Sequence, residues 1–216
     1  MSELSPSLHA SVRAGLHISV LSLIWTLIVG GGSMVVGIAT GSLAVGAFGA
    51  VGLLDAVGSA TLVVHFRHAR GSGEVSHRLE TITHRIVAVG LAVTGLATAA
   101  LSVHRRVSND AGGSSVIGIA LSAVSIGVLA ILAIRKRDIA GRIPSRALHA
   151  DAMVSAVGAV LAVVAAVGVI LHKSIGWWWA DPIAAAVVGA AAMGLAVTAV
   201  LQESGSSASQ PRDEIE

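Results

Sequence analysis

The chain has no cysteine, few aromatics and little charge. Of its 216 residues, 12% are Asp, Glu, Lys or Arg and 3% are aromatic. Without cysteine there is no disulfide framework, no thiolate metal site and no cysteine nucleophile. A soluble domain carries about 25% charged residues, so this fraction excludes an ordinary water-soluble globule. No nucleophile–base arrangement or cofactor motif is present, and an enzyme is not expected. The sequence pI of 9.9 comes from Arg-rich connections between apolar blocks. These basic residues are not interleaved with aromatics, so no nucleic-acid partner is expected.

What is present is apolar sequence and glycine. Hydrophobic residues make up 54% of the chain, with 25 Gly and a mean hydropathy of +0.83. The chain reads as an all-α integral membrane protein in the lipid bilayer. A span needs about 20 apolar residues. Six segments qualify, near 17–38, 43–66, 86–103, 114–134, 148–171 and 182–202. The third is the shortest. No charge separates the first two, but Ile18 to Leu54 as one helix would be about 55 Å long, well beyond a hydrocarbon core of about 30 Å. A break at Ala39-Thr40-Gly41-Ser42 resolves this with a tight hairpin. The first apolar run is too long for a signal-peptide core, so it should stay in the mature protein.

Six spans put both termini on one side. With them go Arg13, Arg67, Arg70, Arg78, Arg85, Arg135, Lys136, Arg137, Arg142, Arg146 and Arg212, against Arg105, Arg106 and Lys173 opposite. Cytoplasmic connections carry the excess of Lys and Arg, so both termini are assigned to the cytoplasm. Trp177, Trp178 and Trp179 then fall at the outer interface. The organisation is a cytoplasmic N-terminus over 1–16, a transmembrane domain over 17–202 and a disordered tail over 203–216.

One carboxylate stands alone. Nothing ionises from Ile18 to Leu54 or from Ala56 to Val64, yet Asp55 lies between them. A charge at mid-membrane costs about 2.5–3.5 kcal/mol on insertion scales and faces protein or water. Asp55 is therefore a candidate cation or proton site. Its alternative is a structural carboxylate, paired with a basic residue or hydrogen-bonded on a neighbouring helix. Asp151, near the start of the fifth span, reads either as a cation-entry carboxylate or as an interfacial Asp favoured by a helix N-terminus. It forms an i,i+4 polar pair with Ser155, while His149 is two residues away on another face. Asp181 and Pro182 read as the N-cap and first residue of the sixth helix. His65, His68, His77, His84 and His149 all fall at or near the cytoplasmic face; His65 and His68, spaced i,i+3, could bind one ion weakly, and the alternative is interfacial side chains. Gly37, Gly41, Gly46, Gly49 and Gly52 read as close helix packing.

TGSLAVGAFGAVGLLDA, RALHADAMVSAVGAV and GWWWADPIAAAVVGA resemble the second, fifth and sixth spans of the cation diffusion facilitator family. The resemblance covers about 40–200 and is closest to short bacterial members without the usual cytosolic domain. It implies a six-helix facilitator-like bundle in the bacterial inner membrane, with homodimerisation. It also implies a tetrahedral Zn²⁺ site from two residues four apart on each of the second and fifth spans. Those positions fall here on Val51, Asp55, Val154 and Gly158, of which only Asp55 can ligate. Zn²⁺ takes about four N, O or S ligands, or three and water.

Three readings follow. The first is a transporter with a relocated site using Asp55, Asp151 and the cytoplasmic histidines His65, His68 and His149. The second is a proton or monovalent-cation pathway through Asp55. The third is a transport-inactive relative serving as a subunit of a larger membrane complex. The reading taken forward is efflux of a divalent cation of the Zn²⁺ class in exchange for protons, with no stably bound cofactor; the inactive relative is the alternative.

Overall fold

The computed structural model describes residues 6–70, 77–108, 113, 115–142 and 146–208. It contains six long helices and, among the described residues, no strand. They are α1 (Pro6–Thr40), α2 (Leu43–Arg70), α3 (His77–Ser108), α4 (Val116–Arg142), α5 (Arg146–Ile175) and α6 (Ala180–Ala208). Each is long and apolar enough to cross a membrane. Helices satisfy their own backbone, which lipid demands.

The helices run past the apolar segments at both kinds of end. The third span, expected to be the shortest, belongs to a 32-residue helix with a 24-residue apolar stretch, Arg85–Ser108. α4 continues eight residues beyond 134 to Arg142, so Arg135, Lys136 and Arg137 lie on a helix and not in a connection. α1 begins at Pro6 and α6 continues to Ala208, so helix extends into both terminal segments. Residues 209–216 lie outside the described residues. Long basic side chains can snorkel to the interface, so charge ends the apolar run without ending the helix.

The expected hairpin is present. α1 ends at Thr40 and the chain turns at Gly41, whose φ of 72° is the left-handed conformation that glycine adopts freely. Ser42 caps α2: Val45 N donates to Ser42 Oγ at 3.3 Å. Behind the turn the two backbones nearly touch. A Cβ on Gly37 would lie 2.4 Å from Gly46 N, and one on Gly49 would lie 2.4 Å from Met34 N. Small residues permit that approach, which is the packing that membrane helices rely on where lipid gives no hydrophobic drive.

α1, α2, α4 and α5 form a bundle, with α1 on α2 and α4, and α5 on α2 and α4. α3 and α6 pair with each other and join the bundle through α2 and α5. The shared core includes Phe48, Val51, Leu129, Leu132, Leu161 and Val188. Isoleucines and valines such as Ile38, Val103 and Val107 face outward, as a lipid-facing surface requires. At the end opposite the termini, Trp177 and Trp179 stack with centroids 4.9 Å apart, and Arg106 of α3 lies over the Trp178 ring at 5.7 Å.

Candidate functional site

Two arrangements lie inside the bundle. The first is a small cavity of about 30 Å³, room for about two water molecules. Asp55 lines it, and so do Val51, Val154 and Gly158. Val51 and Asp55 are one turn apart on α2, and Val154 and Gly158 one turn apart on α5, so each pair shares a helix face. The fold thus assembles all four positions, while the side chains leave one carboxylate facing valine and glycine. The rest of the wall is largely apolar, from Val29, Phe48, Leu129 and Leu161. Thr26 is the other side-chain oxygen on it, and its hydroxyl donates to Ser22 O at 2.8 Å.

The second arrangement is a buried ion pair. Lys136 of α4 is fully buried, and its ammonium sits 2.6 Å from Asp151 Oδ2. It also donates to Ser22 Oγ of α1 at 2.7 Å and to Ser155 Oγ of α5 at 2.8 Å. These three contacts match the three protons of an ammonium group. Asp151 Oδ1 accepts from Ser59 Oγ of α2 at 3.3 Å. Four helices therefore meet on one charge pair. A buried pair is tolerated when such hydrogen bonds complete it.

The two arrangements are adjacent. Ser59 lies one turn from Asp55 on α2, and Asp151 lies about one turn before Val154 on α5. Asp55 is within electrostatic reach of both Asp151 and Lys136. The ion pair lies on the side of the cavity toward Arg70, Arg142 and Arg146, the basic face of the molecule.

Asp55 and Asp151 thus come close together. His149 does not join them. It is on α5 but exposed, on a different face from Asp151. His65 and His68 lie on the last turns of α2, and their side chains are outside the described residues. Among the described residues no cluster of three or more His, Asp or Glu could hold a metal ion. The interfacial reading of Asp151 is corrected: its carboxylate is buried and paired. The expected Asp151–Ser155 spacing does put both side chains on one partner, the Lys136 ammonium.

Sequence reasoning missed Lys136 by counting it with the basic connection. A signal was there. The buried face of α4 runs Leu129, Leu132, Lys136, Ala140, a continuous helical stripe with lysine in it.

Asp181 also differs from its expected role. α6 starts at Ala180, so Asp181 lies within the first turn. Its carboxylate reaches across to α2, accepting from Ser42 Oγ at 2.5 Å, Leu43 N at 2.8 Å and Ala44 N at 3.4 Å. It closes the N-terminus of α2, where a negative charge is favoured. Arg105 of α3 donates to Gly41 O in the same turn. This outer cluster ties α1, α2, α3 and α6 together, and Asp181 is a clamp on the hairpin.

Comparison with known proteins agrees with this architecture. The family model for the cation efflux transmembrane domain matches residues 19–204, nearly the whole membrane region. No curated protein matches the chain.

Proposed function

The chain belongs to the cation efflux family, and on that premise we propose that it moves a divalent cation of the Zn²⁺ class out of the cytoplasm in exchange for protons. The family carries cations across membranes, and the chain is a multi-pass membrane protein. The ion and the exchange are our reading. The observation that supports it most is Asp55, a carboxylate lining the cavity that the four family positions surround. A second carboxylate, Asp151, stands between that cavity and the basic face.

In this mechanism a cation approaches from the face that carries the termini, passes Asp151 and binds Asp55. Proton arrival at Asp55 from the far side helps release it. Carboxylate and hydroxyl oxygens suit harder divalent ions such as Mn²⁺ as well. We place the protein in a bacterial inner membrane as a homodimer.

Purified protein in liposomes tests this. Zn²⁺ or Mn²⁺ should move against an imposed pH gradient, and Asp55→Ala should stop it. No flux of any divalent ion through folded protein refutes the reading.

A second reading has its own support. Val51, Val154 and Gly158 cannot ligate, and an ammonium already pairs with Asp151. Both fit a relative that no longer transports and serves as a subunit of a membrane complex. Co-purification with another protein at fixed stoichiometry, together with absent flux, would establish it.

A further inference from the structure

We propose that Ser22, Asp151 and Ser155 form a cation subsite whose resident is the chain's own Lys136 ammonium, and that an ion passing between the basic face and Asp55 must displace it. The proposal rests on the transport reading for its consequence, but not for the subsite itself.

The subsite is built for a cation. One carboxylate and two hydroxyl oxygens converge on Lys136 Nζ from 2.6 to 2.8 Å. They come from α1 and α5, while the ammonium enters from α4. All are hard oxygen donors, the kind that also coordinate small inorganic cations. Ser59 orients the carboxylate from its other oxygen. Lys136, Ser22 and Ser155 are each 0% exposed, so no water competes for the ammonium.

The position gives the subsite its role. It lies one helical turn from Asp55 toward the basic face, on the same faces of α2 and α5. All three donors of the ammonium go to Asp151, Ser22 and Ser155, so Asp55 is left for an incoming ion. That ion meets repulsion from Lys136 while Lys136 stays on Asp151. Withdrawing the ammonium removes the repulsion and frees a second carboxylate. Lys136 is thus a tethered competitor that sets the apparent affinity of Asp55. If the pair serves only to hold α1, α4 and α5 together, ion affinity is indifferent to it.

The measurement is Mn²⁺ binding to detergent-solubilised full-length protein, read by electron paramagnetic resonance. Lys136→Met keeps the stem and removes the charge. It should bind Mn²⁺ at least about tenfold more tightly than wild type, given the strength of a like charge at this range. Adding Asp151→Asn should remove the gain, and Lys136→Arg should keep the wild-type affinity. Folded Lys136→Met with wild-type affinity overturns the proposal, as does a gain that survives Asp151→Asn. If Lys136→Met does not fold, Lys136→Ala with added propylammonium decides. Recovered thermal stability, not matched by propanol, supports the subsite; no recovery overturns it. A wild type without flux whose Lys136→Met form gains Mn²⁺ affinity refutes transport and supports the subsite. A transporting wild type with unchanged affinity in Lys136→Met does the reverse.

Discussion

Lys136 and Asp151 form an ion pair 2.6 Å long in the interior of a membrane bundle, with the lysine wholly removed from the surface. They are fifteen positions apart in sequence, across the α4–α5 connection, and the pair links both helices to Ser22 of α1 and Ser59 of α2.

Breaking that pair from one side should be costly. Lys136→Ala leaves a buried carboxylate without its counter-charge, which typically costs about 3–5 kcal/mol. Lys136→Met combined with Asp151→Leu removes both charges and should recover most of the loss. Thermal unfolding in detergent checks both. A double variant no more stable than Lys136→Ala contradicts the account.

The Asp181 clamp makes a separate prediction. Asp181→Ala removes acceptors from two backbone amides and the Ser42 hydroxyl at the start of α2. A loss of about 2 kcal/mol is expected for charge-assisted bonds of this kind. Hydrogen exchange should speed up first at Leu43 and Ala44, with the distant α4–α5 end unaffected. Uniform acceleration across the bundle would argue against a local clamp.

The glycine contacts predict position-specific tolerance. Gly49→Val drives a side chain into the α1 backbone at Met34, where a Cβ alone already falls at 2.4 Å. Backbone cannot give way cheaply, so a loss of at least about 3 kcal/mol or failure to insert is expected. Gly31→Ala meets nothing within 4 Å and should change stability by less than about 1 kcal/mol. Expression and unfolding of the two variants side by side test this.

The cavity predicts a gain as well as losses. Val51→His, Val154→His and Gly158→Asp together would add three ligands around Asp55. At Gly158 a Cβ meets only the end of the Leu129 side chain, at 3.3 Å, and that end can shift. The triple variant should bind Zn²⁺ far more tightly than wild type, since four protein ligands complete a tetrahedral site. Asp55→Ala in that background should reverse most of the gain, measured by competition with a chromogenic chelator.

Much of the fold is legible in the sequence because hydropathy is local. Six apolar runs give six spans, and the distance limit on one helix places the hairpin at Gly41. The isolation of Asp55 marks the cavity by the same logic. Helix ends were harder to place, because α4 continues through a basic run that hydropathy reads as a connection. Lys136 was lost there, and with it the true environment of Asp151.

The sequence by itself determined the spans, the side that carries the positive charge and the carboxylate that must face the interior. These depend on the composition of short segments and on the thickness of a bilayer. Only the tertiary structure decided that Lys136 turns inward onto Asp151, and that Asp181 closes a helix 138 residues before it. Partners on different helices are set by packing register and by the need to satisfy every buried polar atom. No local pattern carries that information, because each pair forms only when the whole bundle is assembled.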